Sequence, residues 1–274
     1  MIDTYYNGAY TSYSELKIPL TDRSILFGDG IYEAAIAHGE KIYLFEKHLL
    51  RLAQNLDILN IPRPIEYRRI HDILKRLIRF TRFHDSFLYF QISRSEKVRK
   101  HSYDENKRSN LLAFCLPFSP VPQKDISLIT ETDTRYSLCN IKTINLIPAV
   151  MASHKAEMNN CCEAVFIRDG IVTECAHSNI FIRLGDTIFT HPKTSRILPG
   201  ITRGRVIELA SGCGFKIIEE SFSKDALFSA DEVFITSTSK FTVNVKEIDG
   251  IQLQSDNISA SELFNKSLLE EYFD

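Results

Sequence analysis

The chain has 274 residues, enough to bury a full core without a disulfide or metal staple, as one large domain or two smaller ones. Hydrophobic residues make up 44%, charged residues 25%, and the formal net charge is -2. That balance excludes a disordered chain and gives no electrostatic reason for nucleic acid or an anionic membrane as the main partner. The six cysteines (Cys115, Cys139, Cys161, Cys162, Cys175, Cys213) form no C-x-x-C pair, and the adjacent Cys161 and Cys162 are poorly placed to bridge each other, which fits a reducing compartment. The opening MIDTYYNGAY lacks a basic segment followed by an apolar one, and no apolar run reaches membrane-spanning length, so a cytoplasmic protein is expected.

In chain order, Tyr5-Tyr6 before Asn7-Gly8, Ile25-Leu26-Phe27 before Gly28-Asp29-Gly30, and the alternating run Ile31 to Ala37 before His38-Gly39 read as strands parted by hairpin turns. From Glu46 to Asn60, Leu49, Leu52, Leu56 and Leu59 share one helical face that Pro62 closes, with Arg51 off the stripe. Between Arg63 and Arg82, Arg68, Arg69, Lys75, Arg76, Arg79 and Arg82 interleave with Ile70, Ile73, Leu74, Leu77 and Ile78 at helical spacing. No stacking aromatics or glycine-rich basic loops accompany this helix, so its basic face reads as solvated rather than as a nucleic-acid patch.

Strands follow at Ser86 to Ile92 and Leu111 to Leu116, around a polar segment from Ser93 to Asn110. The proline-rich PFSPVPQKD at 117 to 125 suits a semi-rigid linker. Short strands resume at Ser127 to Thr130, Ile141 to Ile147, Ala164 to Ile167, Ile171 to Thr173, Ile180 to Arg183 and Val233 to Thr236, interrupted by a helix between Thr202 and Ser211. No internal repeat or low-complexity tract is present. The fold class is therefore α+β in two domains: residues 1-118, a linker at 119-125, and residues 126-274.

Four elements carry candidate chemistry. Lys142 lies in Cys139-Asn140-Ile141-Lys142-Thr143-Ile144-Asn145, among mostly apolar or uncharged neighbours that favour a desolvated, nucleophilic amine. Taken alone it reads as an edge-strand lysine that guards against aggregation. Glu174, in DGIVTECAHSNIF, ends a strand beside His177, Ser178 and Asn179, where a carboxylate suits a cationic ring nitrogen. LPGITR at 198 to 203 delivers a glycine and a threonine to a helix N-terminus, whose amides and dipole attract a phosphate. The run Thr236-Ser237-Thr238-Ser239 offers further hydroxyl donors.

Each signal is weak alone, but their order is specific. Together with DRSILFGDGIYE at 22 to 33 and EKHLLRL at 46 to 52, they resemble fold type IV, pyridoxal-phosphate-dependent aminotransferases of class IV, over nearly the whole chain. The resemblance implies a smaller N-terminal α/β domain, a larger C-terminal pseudo-barrel domain that anchors pyridoxal 5'-phosphate, and a homodimer whose pocket crosses the subunit interface. By motif position, Lys142 carries the cofactor and shuttles the substrate Cα proton, and Glu174 keeps the ring nitrogen protonated. Arg51, Ile201, Thr202, Ser237 and Thr238 bind the phosphate, and Leu198 packs on the ring.

Within the class, the Arg99-Lys100-His101 segment is similar to the substrate-carboxylate trap of D-amino acid transaminases, completed by Tyr32 of the GDGIYE motif. The implied substrates are a D-amino acid such as D-alanine and a 2-oxo acid such as 2-oxoglutarate, in a ping-pong exchange. Branched-chain L-amino acid aminotransferase and aminodeoxychorismate lyase are the alternatives. Two positions depart from the D-transaminase pattern: Cys175-Ala176-His177 replaces a serine-rich run, and Pro199 is more typical of the branched-chain enzymes.

Overall fold

The computed structural model describes residues 1-104, 108-120, 125-254 and 259-274. The chain falls into two compact units, Met1–Pro120 with Ile141–Asn145, and Val121–Asn140 with Leu146–Asp274. Residues 121-124 of the expected linker lie outside the described residues. Among the described residues, no helix is long and apolar enough to cross a membrane.

The first unit is built on a six-stranded sheet. Its strands are β1 (Thr4–Tyr6), β2 (Ala9–Thr11), β3 (Gly30–His38), β4 (Lys41–Ile42), β5 (Asp85–Ser93) and β6 (Asn110–Pro117), in the order β2-β1-β6-β5-β3-β4. Asn7 and Gly8 both take positive φ (44° and 99°), the geometry a two-residue hairpin needs, and they set Tyr6 opposite Ala9. Helices α1 (Arg23–Phe27), α2 (Phe45–Ile58) and α3 (Ile70–Thr81) complete the unit. The leucine stripe of α2 and the Ile/Leu stripe of α3 face the sheet: Leu52, Leu56, Leu74 and Leu77 are fully buried, each contributing about 2 kcal/mol of apolar transfer.

One expected strand is a helix instead. Asp22 caps Ser24 N–H at 2.8 Å and Gly28 turns left-handed at φ 62°, so Ile25-Leu26-Phe27 is wound into α1.

The second unit holds a curled, mixed, nine-stranded sheet. Its strands are β7 (Ile126–Thr132), β8 (Glu163–Arg168), β9 (Ile171–Cys175), β10 (Asn179–Leu184), β11 (Thr187–Thr190), β12 (Lys216–Glu219), β13 (Glu232–Ser237), β14 (Phe241–Ile248) and β15 (Ile251–Gln252). The order is β12-β11-β10-β13-β14-β7-β8-β9, with β15 on β14. Val165, Val172, Ile180, Ile182, Ile235 and Val243 form its apolar core. Four helices accompany it among the described residues: α4 (Ile147–Met158), α5 (Ile201–Leu209), α6 (Lys224–Phe228) and α7 (Ala260–Phe273).

The segment 141 to 147 is not a strand. Its ladder pairing is a single bridge from Thr143 to Ile31, and its last residue opens α4, with Pro148 in the first helical turn, where a missing N–H does no harm.

Candidate active site

In the first unit, β3 fixes the lysine. Tyr32 N–H donates to the Lys142 carbonyl at 3.0 Å and Ile144 N–H donates to the Gly30 carbonyl at 3.1 Å, so residues 141 to 145 lie along the start of β3. This seats the half-buried Lys142 amine 4.3 Å from the centroid of the Tyr32 ring. Tyr32 is stacked in turn on Tyr89, and Tyr89 on Phe114, with centroids 5.3 and 4.7 Å apart. Two of the expected residues, Lys142 and Tyr32, are thus brought together, with an aromatic wall behind them.

The opposite face of β3 carries a charge. Glu33 has no exposed surface and accepts from Arg51 Nε (2.8 Å) and Nη2 (2.7 Å), both on α2. His48, one turn earlier, places Nδ1 2.8 Å from Glu33 Oε2. Burial pushes the Glu33 carboxyl up, but the ion pair and hydrogen bonds from Arg51 and His48 outweigh it and hold the group down at about 2. Burial pushes the His48 imidazole below its ordinary range, so a neutral ring is the donor to Glu33. Arg51 is therefore oriented by a carboxylate with no access to water.

Arg99 and His101 lie on an exposed loop after β5 and gather around Phe27 of α1. The Arg99 guanidinium is 5.3 Å from the Phe27 centroid, and the His101 ring is also 5.3 Å from it. Beneath them Arg23, 4% exposed, donates to the carbonyls of Lys100 (2.7 Å) and His101 (3.1 Å) and to Asp29 (2.7 Å). Arg94 binds the same Asp29 carboxylate through Nε. Arg23, held by an aspartate that it shares with Arg94, thus clamps the backbone that presents Arg99 and His101.

In the second unit, Glu174 on β9 is 5% exposed and surrounded by donors: Leu198 N–H (3.0 Å), Asn179 Nδ2 (3.0 Å) and Arg135 Nη1 (2.5 Å). Asn179 also donates to the Leu198 carbonyl at 2.8 Å and accepts from Gly200 N–H at 3.2 Å, tying the LPG loop to β10. Burial opposes the charge of Arg135, but Asp133 and Glu174 outweigh it and raise its pKa well above the ordinary value. The result is a fixed carboxylate of the kind that pairs with a cationic ring.

Beside it, α5 begins at Ile201 and Thr202. Its cap residue is Gly200, and no side chain among the described residues caps the helix, so its first-turn N–H groups and dipole are of the kind that attract an anion. A β-carbon at Gly200 would stand 2.2 Å from Asn179 Oδ1, so any other residue there must displace the Asn179 amide. On the neighbouring run, Thr236 Oγ1 is buried with no partner among the described residues. Ser237 Oγ accepts from Lys240 N–H at 3.3 Å, and Thr238 is half-buried in the same turn.

His177 is half-exposed, and its Nδ1 lies 3.2 Å from the fully buried Glu163 carboxylate. Glu163 also accepts from His177 N–H (2.6 Å) and Ser178 Oγ (2.8 Å). Sequence reasoning missed Glu33, His48, Arg23, Arg135, Asp133 and Glu163. For Glu33 a signal existed, since it occupies the buried phase of β3 shared by Ile31, Ala35 and Ala37.

This fold and these groups define a class. The family described as amino-transferase class IV matches residues 30–248, and the chain belongs to that family; it is an aminotransferase of fold type IV. Its relatives are specific. It is 35% identical over 249 residues to the D-alanine aminotransferase of Bacillus licheniformis, covering 89% of this chain and 88% of that protein. It is 30% identical over 263 residues to the D-alanine aminotransferase of Staphylococcus epidermidis, covering 94% and 93%. In structure it resembles the branched-chain aminotransferase of the thermophilic archaeon Thermoproteus uzoniensis, crystallised with norvaline, at TM-score 0.88 and 20% identity over 98% of this chain and 94% of the other, a likeness of fold.

Proposed function

We propose that the chain is a D-amino acid transaminase, a cytoplasmic homodimer that moves the amino group of a D-amino acid such as D-alanine to a 2-oxo acid such as 2-oxoglutarate, with pyridoxal 5'-phosphate as cofactor. The observation that carries this reading is the 35% identity to a D-alanine aminotransferase along 89% of the chain.

The residues present fit the cofactor. Among the described residues the N-terminus of α5 has no side-chain cap and the Thr236 hydroxyl no partner, which suits a phosphate, and the buried Glu174 carboxylate suits a protonated ring nitrogen. When bound, pyridoxal 5'-phosphate supplies the electron sink that makes the substrate Cα proton acidic.

The chain's own groups do the rest. Lys142 would hold the cofactor covalently until the substrate amine takes its place, and its freed amine would then take and return the Cα proton. Glu174, fixed by Leu198, Asn179 and Arg135, would pair with the ring nitrogen. Ile201 and Thr202 through their amides, Ser237 and Thr238 through their hydroxyls, and Arg51, oriented by Glu33, would bind the phosphate, and Leu198 would pack on the ring. Tyr32, with Arg99 and His101 reaching from the other subunit, binds the substrate carboxylate. The donor leaves as a 2-oxo acid before the acceptor binds.

The test is a half-reaction. The purified yellow protein is mixed with D-alanine or L-alanine without acceptor, and the visible absorbance is followed. Bleaching by the D-isomer alone is expected, and Lys142→Ala should abolish it. A branched-chain L-amino acid aminotransferase, favoured by Pro199, is the second reading; bleaching by L-leucine and not by D-alanine would establish it in place of the first.

A further inference from the structure

A separate set of metal-ligating side chains stands at one end of the first unit's sheet. His38 ends β3, Asp85 begins β5, and the two are direct partners across the antiparallel pair. His84 precedes Asp85, and its carbonyl accepts from Gly39 N–H at 2.8 Å, which holds the turn after β3 against it. In consequence two imidazoles converge on one carboxylate. His38 Nδ1 is 2.9 Å from Asp85 Oδ1, and His84 Nδ1 is 3.2 Å from Asp85 Oδ2. The rings meet edge to face with centroids 4.6 Å apart, and one ligand atom from each of the three residues lies within 4.8 Å of the others.

We propose that His38, His84 and Asp85 form a site for a divalent transition-metal ion, with zinc as the reference ion. A tetrahedral zinc with bonds of about 2.0–2.1 Å separates its ligand atoms by about 3.4 Å. The observed contacts, 2.9 Å to Asp85 Oδ1 and 3.2 Å to Oδ2, and a set that lies within 4.8 Å bracket that spacing, so side-chain rotations would close the three groups around an ion. The donor set selects the ion class. Two imidazoles and one carboxylate suit zinc, cobalt or nickel, whereas calcium and magnesium require all-oxygen cages.

Exposure leaves room for water at the remaining coordination position: the His84 side chain is 78% exposed, and those of His38 and Asp85 are 27% and 17% exposed. A bound ion would link the end of β3 to the start of β5. One feature opposes it: Lys41 on β4 is the cross-strand partner of His38, and its positive charge lies on the same face.

The experiment is a calorimetric titration of zinc chloride into the cofactor-loaded protein, with the visible absorbance recorded alongside. One ion per chain is expected, with no change in the absorbance, and His84→Ala and Asp85→Asn should each weaken binding at least about tenfold. Lys41→Ala should tighten it. In thermal unfolding, zinc should raise the Tm of the wild type and not of His84→Ala, which removes a side chain that is exposed and so leaves the packing of the sheet in place. No saturable binding, binding unchanged in His84→Ala, or binding lost in a Cys161→Ser/Cys162→Ser variant would each overturn the proposal.

Discussion

Glu33→Gln removes one charge from a carboxylate that has no exposed surface and accepts from Arg51 through two nitrogens and from His48 through one. The cost follows by two routes. The carboxyl is held at about 2 against an ordinary 4.5, a difference worth about 3 kcal/mol at roughly 1.36 kcal/mol per pH unit. Removing one partner of a buried ion pair costs about 3–5 kcal/mol, because the other charge is left uncompensated.

The sign is set by the direction of the shift. A carboxyl whose folded pKa is depressed contributes its full stabilisation above pH 4.5, and that contribution drains away as the pH falls toward 2. Urea unfolding near neutral pH, run without cofactor so that ligand binding adds nothing, should show the variant about 3 kcal/mol less stable. Its stability should also fall less steeply with acid than that of the wild type. A variant within about 1 kcal/mol of wild type, with the wild-type acid slope, would refute the claim that this ion pair is intact and buried.

Three further outcomes are expected. Arg23→Gln frees the carbonyls of Lys100 and His101, so the KM for D-alanine should rise about tenfold with kcat nearly unchanged; an unaltered KM would show that the loop needs no clamp. Gly200→Ala drives a methyl to within 2.2 Å of Asn179 Oδ1 and should loosen Glu174, raising the cofactor dissociation constant about tenfold or more in an absorbance titration; a wild-type constant would contradict it. Burial pushes the thiols of Cys115 and Cys175 up, the latter well above its ordinary 9.0, so neither should react with a maleimide in the folded protein; labelling of either one, mapped by mass spectrometry, would disprove it.

Legibility of the fold followed the strength of the periodicity. α2 and α3 carry apolar residues on one face above a sheet, and the β3, β5 and β6 runs alternate or are continuously apolar, so their existence could be read directly. The errors fell where a short local interaction overrides composition. Ile25-Leu26-Phe27 looks like a strand, but the Asp22 cap and the left-handed Gly28 decide for one helical turn. α4 escaped notice because Ile147, Val150, Met151 and Met158 are exposed while the small Ala152 and Ala156 are buried, so its apolar residues do not lie on one buried stripe. α7 announces itself only through Ser259 capping Glu262 N–H, a signal of three residues.

The candidate site divides the same way, between residues that belong to ordered motifs and residues that hold them. Lys142, Glu174 and the LPGITR loop can be found because their order along the chain is specific, while Arg135, Asp133 and Arg23 sit in segments with no periodicity and meet their partners only in space. Arg135 and Glu174 are 39 residues apart, and Arg23 and Lys100 are 77 apart. Glu33 and Glu163 are a different case, because both are carboxylates with no exposed surface on strands whose neighbours in the buried phase are apolar. A charge at such a position is costly unless paired, so its presence predicts a buried partner even when the sequence does not say which. In this chain both partners proved to be next to site residues: Glu33 orients Arg51, and Glu163 holds His177 and Ser178 three and four residues beyond Glu174. A charge in the buried, otherwise apolar phase of its strand is therefore the sequence feature that points from the motif residues to the groups that position them.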